Sequence, residues 1–347
     1  MGEIVVLHLL SSRKFSGAEN VVCQIINAFK QETGFVMVYC SPEGPIRDSL
    51  VSRGVQYEAI QSLSIRNVRS VIRKIHPSVI HAHDMGATFI AAMSTCKIPI
   101  ISHIHNNNFN SRNISLKALL YLYAAKRSKH IFWVSKSSYE GYVFHTKLKK
   151  KSSVLYNVID IAQLEKRALE DTNEYNYDLV YVGRINYLKN PQRLIEICSR
   201  VVKQLPSVRI AIIGDGDLRE DMLKMIQTYS LTNNITYLGF LNNPYKILQS
   251  SKGMIMTSRT EGLPMCALEA MSLGVPIVST PVGGLVELID DGADGFLSDD
   301  NDILSLALCR LVQDNTYQKI ISNNARKKME RIMDLSNYKD ELIKFYK

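Results

Sequence analysis

Two glutamates in "TSRTEGLPMCALEAMSLGVPIVST" (residues 257–280), Glu261 and Glu269, lie on a segment that Pro264 opens and Gly274 closes. Proline lacks the N–H that would go unpaired in a first helical turn, and glycine takes the left-handed conformation just past a helix end. The pattern predicts a strand over GMIMTS, a loop over RTEGLP, a helix over PMCALEAMSL and a strand over VPIVST. A helix start offers unpaired N–H groups and partial positive charge, which suits a phosphate, with Gly262, Leu263 and Met265 as donors. Neither carboxylate serves that phosphate: Glu261, just before the helix, would repel it, and Glu269 lies more than one turn in. As acceptors they suit hydroxyls on either side of it. A ligand with a phosphate between two sets of hydroxyls is a nucleotide sugar.

Further cations stand in "YDLVYVGRINYLKNPQRLIE": Arg184 follows Gly183, and Lys189 precedes Asn190-Pro191. Arginine offers a planar fork for phosphate oxygens and lysine a mobile point charge. With the helix start they could hold a diphosphate without a metal. "IIGDGDLRE" and "YLGFL" end strands at Gly214 and Gly239, where backbone could approach a base. Asp215 and Asp217 match a D-x-D metal pattern, but Gly214 and Gly216 beside them at a strand end favour a turn.

These residues need a scaffold that brings strand ends together. Short β-rich runs alternate with helix-period segments: EIVVLHLL, FVMVYC, SVIHAH, IPIISHIH and HIFWVS, then YDLVYVG, VRIAIIG, NITYLGF, GMIMTS and VPIVST. Such alternation predicts an α/β protein of two doubly wound, Rossmann-like domains facing across a cleft. The polar stretch 165–178 places the linker. The expected domains are 1–170, 171–330 with the nucleotide-sugar residues, and a C-terminal helix, 331–347, that crosses back to the first domain.

Bulk composition agrees. The 347 residues are 46% hydrophobic and 22% charged, as in a folded protein. The six cysteines are scattered and read as buried thiols in a reducing compartment. Glu3 in "MGEIVVLHLL" argues for a first strand over a signal peptide. No apolar run reaches the roughly 18 residues of a membrane span. The expected location is cytoplasmic, with peripheral contact on the inner face of the cell membrane. Of the net charge of +9, residues 1–173 carry +10, with 22 Lys and Arg against 12 Asp and Glu.

"VGRINYLKN", "IIGDGDLRE", "YLGFL" and "SRTEGLPMCALEAMSLGVPIVSTPVGGLVELIDDGADGFL", in that order, resemble the C-terminal domain of retaining family 4 glycosyltransferases with the GT-B fold. The most specific mark is E-x7-E, Glu261 to Glu269, followed by Gly-Val-Pro and Gly283-Gly284. The resemblance implies that Arg184 and Lys189 bind the donor diphosphate and neutralise the departing nucleotide. It implies that Glu269 holds ribose hydroxyls, while Glu261 and the backbone after it contact sugar and phosphate. No metal or other cofactor is expected beyond a UDP- or GDP-linked substrate. The resemblance also implies that domain 1–170 binds the acceptor, a glycan or lipid-linked glycan in bacterial surface polysaccharide assembly, and that transfer is a front-face displacement.

The first half matches more thinly. "RKFSGAENVV" has Ser16 where relatives have a first glycine, leaving Gly17 to let backbone approach the ligand. His105, in "IPIISHIHNNN", stands where the family has a histidine near the donor sugar. His81, His83 and His103 read as structural hydrogen-bond partners. Asn106 to Asn108 read equally as acceptor contacts or a polar loop. Val158 replaces a glycine of the interdomain crossover. "LKALLYLYAAKRSKH" and "FHTKLKKKSS" join apolar residues to lysines, either as a solvated basic face or as a dock for an anionic membrane. Two rival functions are a nucleotide-sugar epimerase of related fold and a nucleic-acid-binding protein. Basic residues lacking interleaved aromatics argue against the second.

Overall fold

A computed structural model describes residues 2–106 and 109–347. The chain divides into two compact units: Met1–Val158 with Asp334–Lys347, and Ile159–Met333.

Unit 1 is built on seven parallel strands: β1 Ile4–Leu9, β2 Phe35–Pro42, β3 Tyr57–Ile60, β4 Val79–Ala82, β5 Ile100–Ile104, β6 His130–Trp133 and β7 Ser152–Val154. Their order is β3-β2-β1-β4-β5-β6-β7. Central strands are buried on both faces, as crossover helices require, so β1, β4 and β5 read as apolar runs interrupted only by histidines and Ser102.

Unit 2 has six parallel strands: β8 Leu179–Val182, β9 Ile210–Ile213, β10 Ile235–Gly239, β11 Gly253–Met256, β12 Ile277–Ser279 and β13 Gly295–Leu297. The order β10-β9-β8-β11-β12-β13 reverses direction between β8 and β11. At such a switch point the loops leaving the two strands part and open a crevice at the carboxyl ends. Each sequence run expected to be a strand is one; β3, β7 and β13 were not anticipated.

The division falls at Val158/Ile159, before the polar stretch 165–178. Helix Ile161–Glu170 belongs to unit 2 because Leu164 and Ala168 are buried in it. Arg167 donates to Tyr245 Oη (3.3 Å) and Asn242 O (2.6 Å), and its own carbonyl accepts from Asn243 (2.7 Å). Only the second half of that stretch is irregular. The last helix, Leu335–Tyr346, packs in unit 1. There Tyr346 meets His81 Nδ1 through its hydroxyl (2.7 Å), and its ring lies 5.6 Å from that of Phe29.

Four of the six cysteines are buried and Cys266 is half-buried, whereas Cys96 is exposed, contrary to the expectation of buried thiols throughout. Among the described residues no helix is long and apolar enough to cross a membrane.

Candidate active site

Lys189 and Glu261 come from the two strands that flank the switch point in unit 2. Lys189 ends the loop after β8, and Glu261 lies on the loop after β11. Lys189 Nζ sits 2.5 Å from Glu261 Oε1, with the two side chains 17% and 7% exposed. The same oxygen accepts from Ser258 Oγ at 2.5 Å. Burial works against the lysine's charge, but the carboxylate of Glu261 and the nearby Cys266 sulfur outweigh it, so the ammonium is held above the ordinary lysine range. Cys266, in the first turn of helix Met265–Ser272, is pushed up to about 12 by burial, with Lys189 opposing. Glu261 stands four residues before that helix's first residue, so its partner ammonium lies near the helix start.

Backbone contacts fix both loops. Thr257 Oγ1 donates to Lys189 O (3.0 Å) and Asn190 O (3.2 Å), and Arg259 N donates to Leu188 O (2.8 Å). Asn190 takes φ 55°, turning the chain into helix Pro191–Gln204. Asparagine tolerates that left-handed conformation better than most residues.

Glycines let neighbouring loops touch. A Cβ on Gly214 (φ 137°) would lie 1.9 Å from Gly183 O, and one on Gly283 (φ 57°) 1.9 Å from Glu261 O. Gly284 N donates to Gly262 O at 2.8 Å. The Gly283-Gly284 pair thus presses the loop after β12 onto the one that carries Glu261. Gly214 N donates to Gly239 O (2.8 Å), which joins the loops after β9 and β10. Asp215 accepts from Gly216 N (2.8 Å) and lies 3.8 Å from Arg219, and the chain turns at Asp217 and Leu218.

Glu261, Gly262, Leu263, Pro264 and Met265 are buried. Pro264 is the capping residue and not, as expected, inside the first turn; its carbonyl accepts from Ala267 N (3.1 Å). Gly274 follows with φ 73°. Glu269, 7% exposed, accepts from Tyr245 Oη at 3.0 Å, and Arg167 stacks 4.7 Å over that tyrosine's ring. Arg184 is exposed, on the same loop as Lys189. Sequence reasoning missed Ser258 and Tyr245. Ser258, three residues before Glu261, was open to notice; Tyr245 comes from a helix start far along the chain and left no local signal.

In unit 1, His105 belongs to a ladder of five buried or half-buried imidazoles from β1, β4 and β5 or their ends: His8, His81, His83, His103 and His105. His83 bridges His8 (2.9 Å) and His105 (3.0 Å) through its two ring nitrogens. Two triplets, His8-His81-His83 and His83-His103-His105, bring one nitrogen each within 4.8 Å of one another. That spacing could hold a metal, but two pairs of these nitrogens already bond one another, His8 with His83 and His83 with His105, and the rings within each triplet are tilted between 16° and 38° to one another. Burial pushes His8 and His105 down to about 3 and the other three well below the usual histidine range. His105 is therefore neutral at neutral pH. His81 and His83 are buried hydrogen-bond partners, as expected, whereas His103 is buried with neither ring nitrogen bonded among the described residues, contrary to expectation.

Gly17 is exposed and begins helix Gly17–Ala28, where a Cβ would meet nothing within 4 Å. Ser16, just before that helix, donates its hydroxyl to the buried Glu19 carboxylate and makes no capping bond to the backbone. Asn106 is half-buried; Asn107 and Asn108 lie outside the described residues.

Comparison with known proteins adds a family to this geometry. The model for "Glycosyl transferases group 1" matches residues 163–328, and that for "Glycosyltransferase Family 4" matches residues 15–163. The UDP-Gal:alpha-D-GlcNAc-diphosphoundecaprenol alpha-1,3-galactosyltransferase of Escherichia coli is 24% identical over 99% of this chain and 97% of its own. The N-acetylgalactosamine-N,N'-diacetylbacillosaminyl-diphospho-undecaprenol 4-alpha-N-acetylgalactosaminyltransferase of Campylobacter jejuni is 29% identical over 67% of this chain and 63% of its own. Among solved structures, Anabaena HepE in complex with UDP-glucose superposes with a TM-score of 0.84 at 19% identity, covering 99% of each chain. With two doubly wound units and family models spanning residues 15–328, the chain belongs to the family 4 glycosyltransferases and has the GT-B fold.

Proposed function

We propose that this glycosyltransferase moves a sugar, with retention, from a UDP- or GDP-linked donor to a hydroxyl of a lipid-linked glycan in surface polysaccharide assembly, working at the inner face of the membrane. The observation that carries the donor site is the Lys189–Glu261 pair at the switch point, beside the start of helix Met265–Ser272. A diphosphate reaching that start would meet backbone donors and an ammonium already held in place, with Arg184 adding a second cation from the same loop. Glu269, oriented by Tyr245, would take the ribose hydroxyls, and Glu261 the sugar hydroxyls. Gly214 and Gly239 would leave room for the base.

The reaction breaks the bond between the anomeric carbon and the donor phosphate oxygen. The acceptor oxygen bonds to that carbon on the same face, and its proton passes to a donor phosphate oxygen. Lys189 and Arg184 stabilise the charge that develops on the leaving diphosphate, which requires neither a metal nor a covalent nucleophile. His105, as a neutral imidazole, would offer a hydrogen bond to the sugar. Both named relatives form α linkages, the outcome that an α-linked donor gives with retention. Lipid-linked acceptors in their names support the acceptor class.

Lys189→Ala and Glu269→Ala, assayed for transfer or donor hydrolysis beside the unmodified protein, test the site. Each is expected to lose at least about a hundredfold in kcat/KM, the scale of one electrostatic stabiliser. Near-normal activity in both overturns the assignment.

A further inference from the structure

Helix Leu116–Arg127 of unit 1 is apolar on two sides. Ala118, Tyr121, Leu122, Ala124 and Ala125 are buried. Opposite them Leu116, Leu119, Leu120 and Tyr123 are 72%, 47%, 38% and 48% exposed, and Ile114, just before the helix, is 73% exposed. Their separations of three and four residues put them on one face, so they form a continuous stripe rather than scattered surface residues.

The chain segment that carries the stripe is strongly basic. Residues 85–159 contain eleven Lys and Arg and a single acid, Glu140, for a net +10 that exceeds the +9 of the whole chain. Lys151 Nζ donates to Lys126 O (2.6 Å) and Ser128 O (2.9 Å), which ties the lysine run 147–151 to the helix's C-terminal end. Arg127 lies 5.7 Å over the ring of Tyr123. Beside that pair a recess of about 400 Å³ adds Arg69 and Lys97 to its lining.

We propose that this face is a docking surface for an anionic lipid bilayer. Leu116, Leu119, Leu120 and Tyr123 enter the boundary between headgroups and acyl chains, while Lys117, Lys126, Arg127 and the lysines of 147–151 meet lipid phosphates. An interfacial helix needs this combination, an apolar stripe for the acyl boundary and cations for the headgroups. Nucleic acid would satisfy the cations and leave the leucines in water. A second copy would cover the leucines but set +10 against +10. The inference rests on the function above only in that a lipid-borne acceptor gives docking a purpose.

The test sediments the full chain with vesicles of phosphatidylcholine alone, or mixed equally with phosphatidylglycerol, at low and high salt. The chain is expected to pellet with the mixed vesicles at low salt and to stay in solution with phosphatidylcholine. Leu119→Asp with Tyr123→Asp should lower partitioning by more than roughly tenfold. Lys149→Ala with Lys150→Ala should lower it by roughly fivefold per lysine removed. Both variants should keep the wild-type Tm and nucleotide-sugar binding, since neither touches the donor site. No pelleting at low salt, or pelleting that the stripe variant leaves unchanged, overturns the proposal. So does a lipid-free dimer that Leu119→Asp dissociates, or displacement from vesicles by an oligonucleotide that binds both variants as it binds the wild type. A chain that docks as described but neither binds nor turns over any nucleotide sugar keeps this surface and loses the transferase function.

Discussion

At the scale of single residues, Lys189 is placed to serve both the fold and the proposed reaction. With its ammonium 2.5 Å from a buried carboxylate, removing it leaves Glu261 with Ser258 as a neutral partner. Breaking a buried pair from one side costs about 3–5 kcal/mol, whereas removing both charges is often neutral. Lys189→Ala is therefore expected to destabilise unit 2 by an amount in that range. Lys189→Met combined with Glu261→Gln should recover most of the loss without recovering transfer. Urea titrations beside a transfer assay separate the two effects; a double variant as unstable as the single one would refute the buried-pair argument.

The histidine ladder makes a prediction of opposite character. Its members are held below the ordinary histidine range, His8 and His105 at about 3, so below about pH 6.5 the unfolded chain binds protons that the folded chain refuses. The stability is fully present above pH 6.5 and falls as pH drops towards 3, by up to about 1.4 kcal/mol per pH unit for each histidine. Among the described residues neither ring nitrogen of His103 has a hydrogen-bond partner, so His103→Leu should forfeit no bond there and remove one proton from that slope. Denaturant midpoints between pH 7 and pH 5 would show it as a shallower loss in the variant (roughly one proton fewer).

At the scale of elements, the loops are held apart by less than a side chain. Gly283→Ala would drive a methyl into the backbone of Glu261 and force an unfavourable φ, strain of about 1–3 kcal/mol before any displacement of the loop. Gly17→Ala is the contrast: nothing stands near its Cβ, its φ is ordinary, and stability should stay within about 0.5 kcal/mol. Loss of donor or acceptor affinity in Gly17→Ala with an unchanged melt would place a ligand against that backbone. Unchanged affinity would remove Gly17 from the site.

Much of this was legible in the sequence. Buried parallel strands write themselves as apolar runs, and the loops that follow them carry Lys189, Glu261 and the close-packed glycines. Three strands escaped: β3 (YEAI) has a charge inside it, β7 (SSV) has a single apolar residue, and β13 (GFL) has only three residues. The linker was misplaced because Leu164 and Ala168 hide an amphipathic helix among charges. Tyr245 could not be found as the partner of Glu269, since only the folded sheet brings positions 24 residues apart to one carboxylate.

At the scale of the molecule, unit 1 is discontinuous, closed by residues 334–347 after the whole of unit 2. Its last helix supplies Tyr346 to the histidine ladder, Phe345 stacked 3.9 Å from His130, and Lys339 paired with Glu32. A chain ending at Met333 is expected to keep the melting transition of unit 2 while unit 1 becomes open to protease. Limited proteolysis with mass spectrometry would show cleavage sites concentrated before Val158. Equal resistance in both units would mean that the helix is dispensable.

Translation gives this arrangement an order in time. The segment of unit 1 that leaves the ribosome first carries all seven strands of its sheet but must wait for the helix that packs on it until more than three hundred residues have been made, while unit 2 emerges whole and can fold in the interval. The half synthesised first is the half completed last, so a nascent chain would acquire its nucleotide-sugar site before its basic, leucine-bearing face is locked in place.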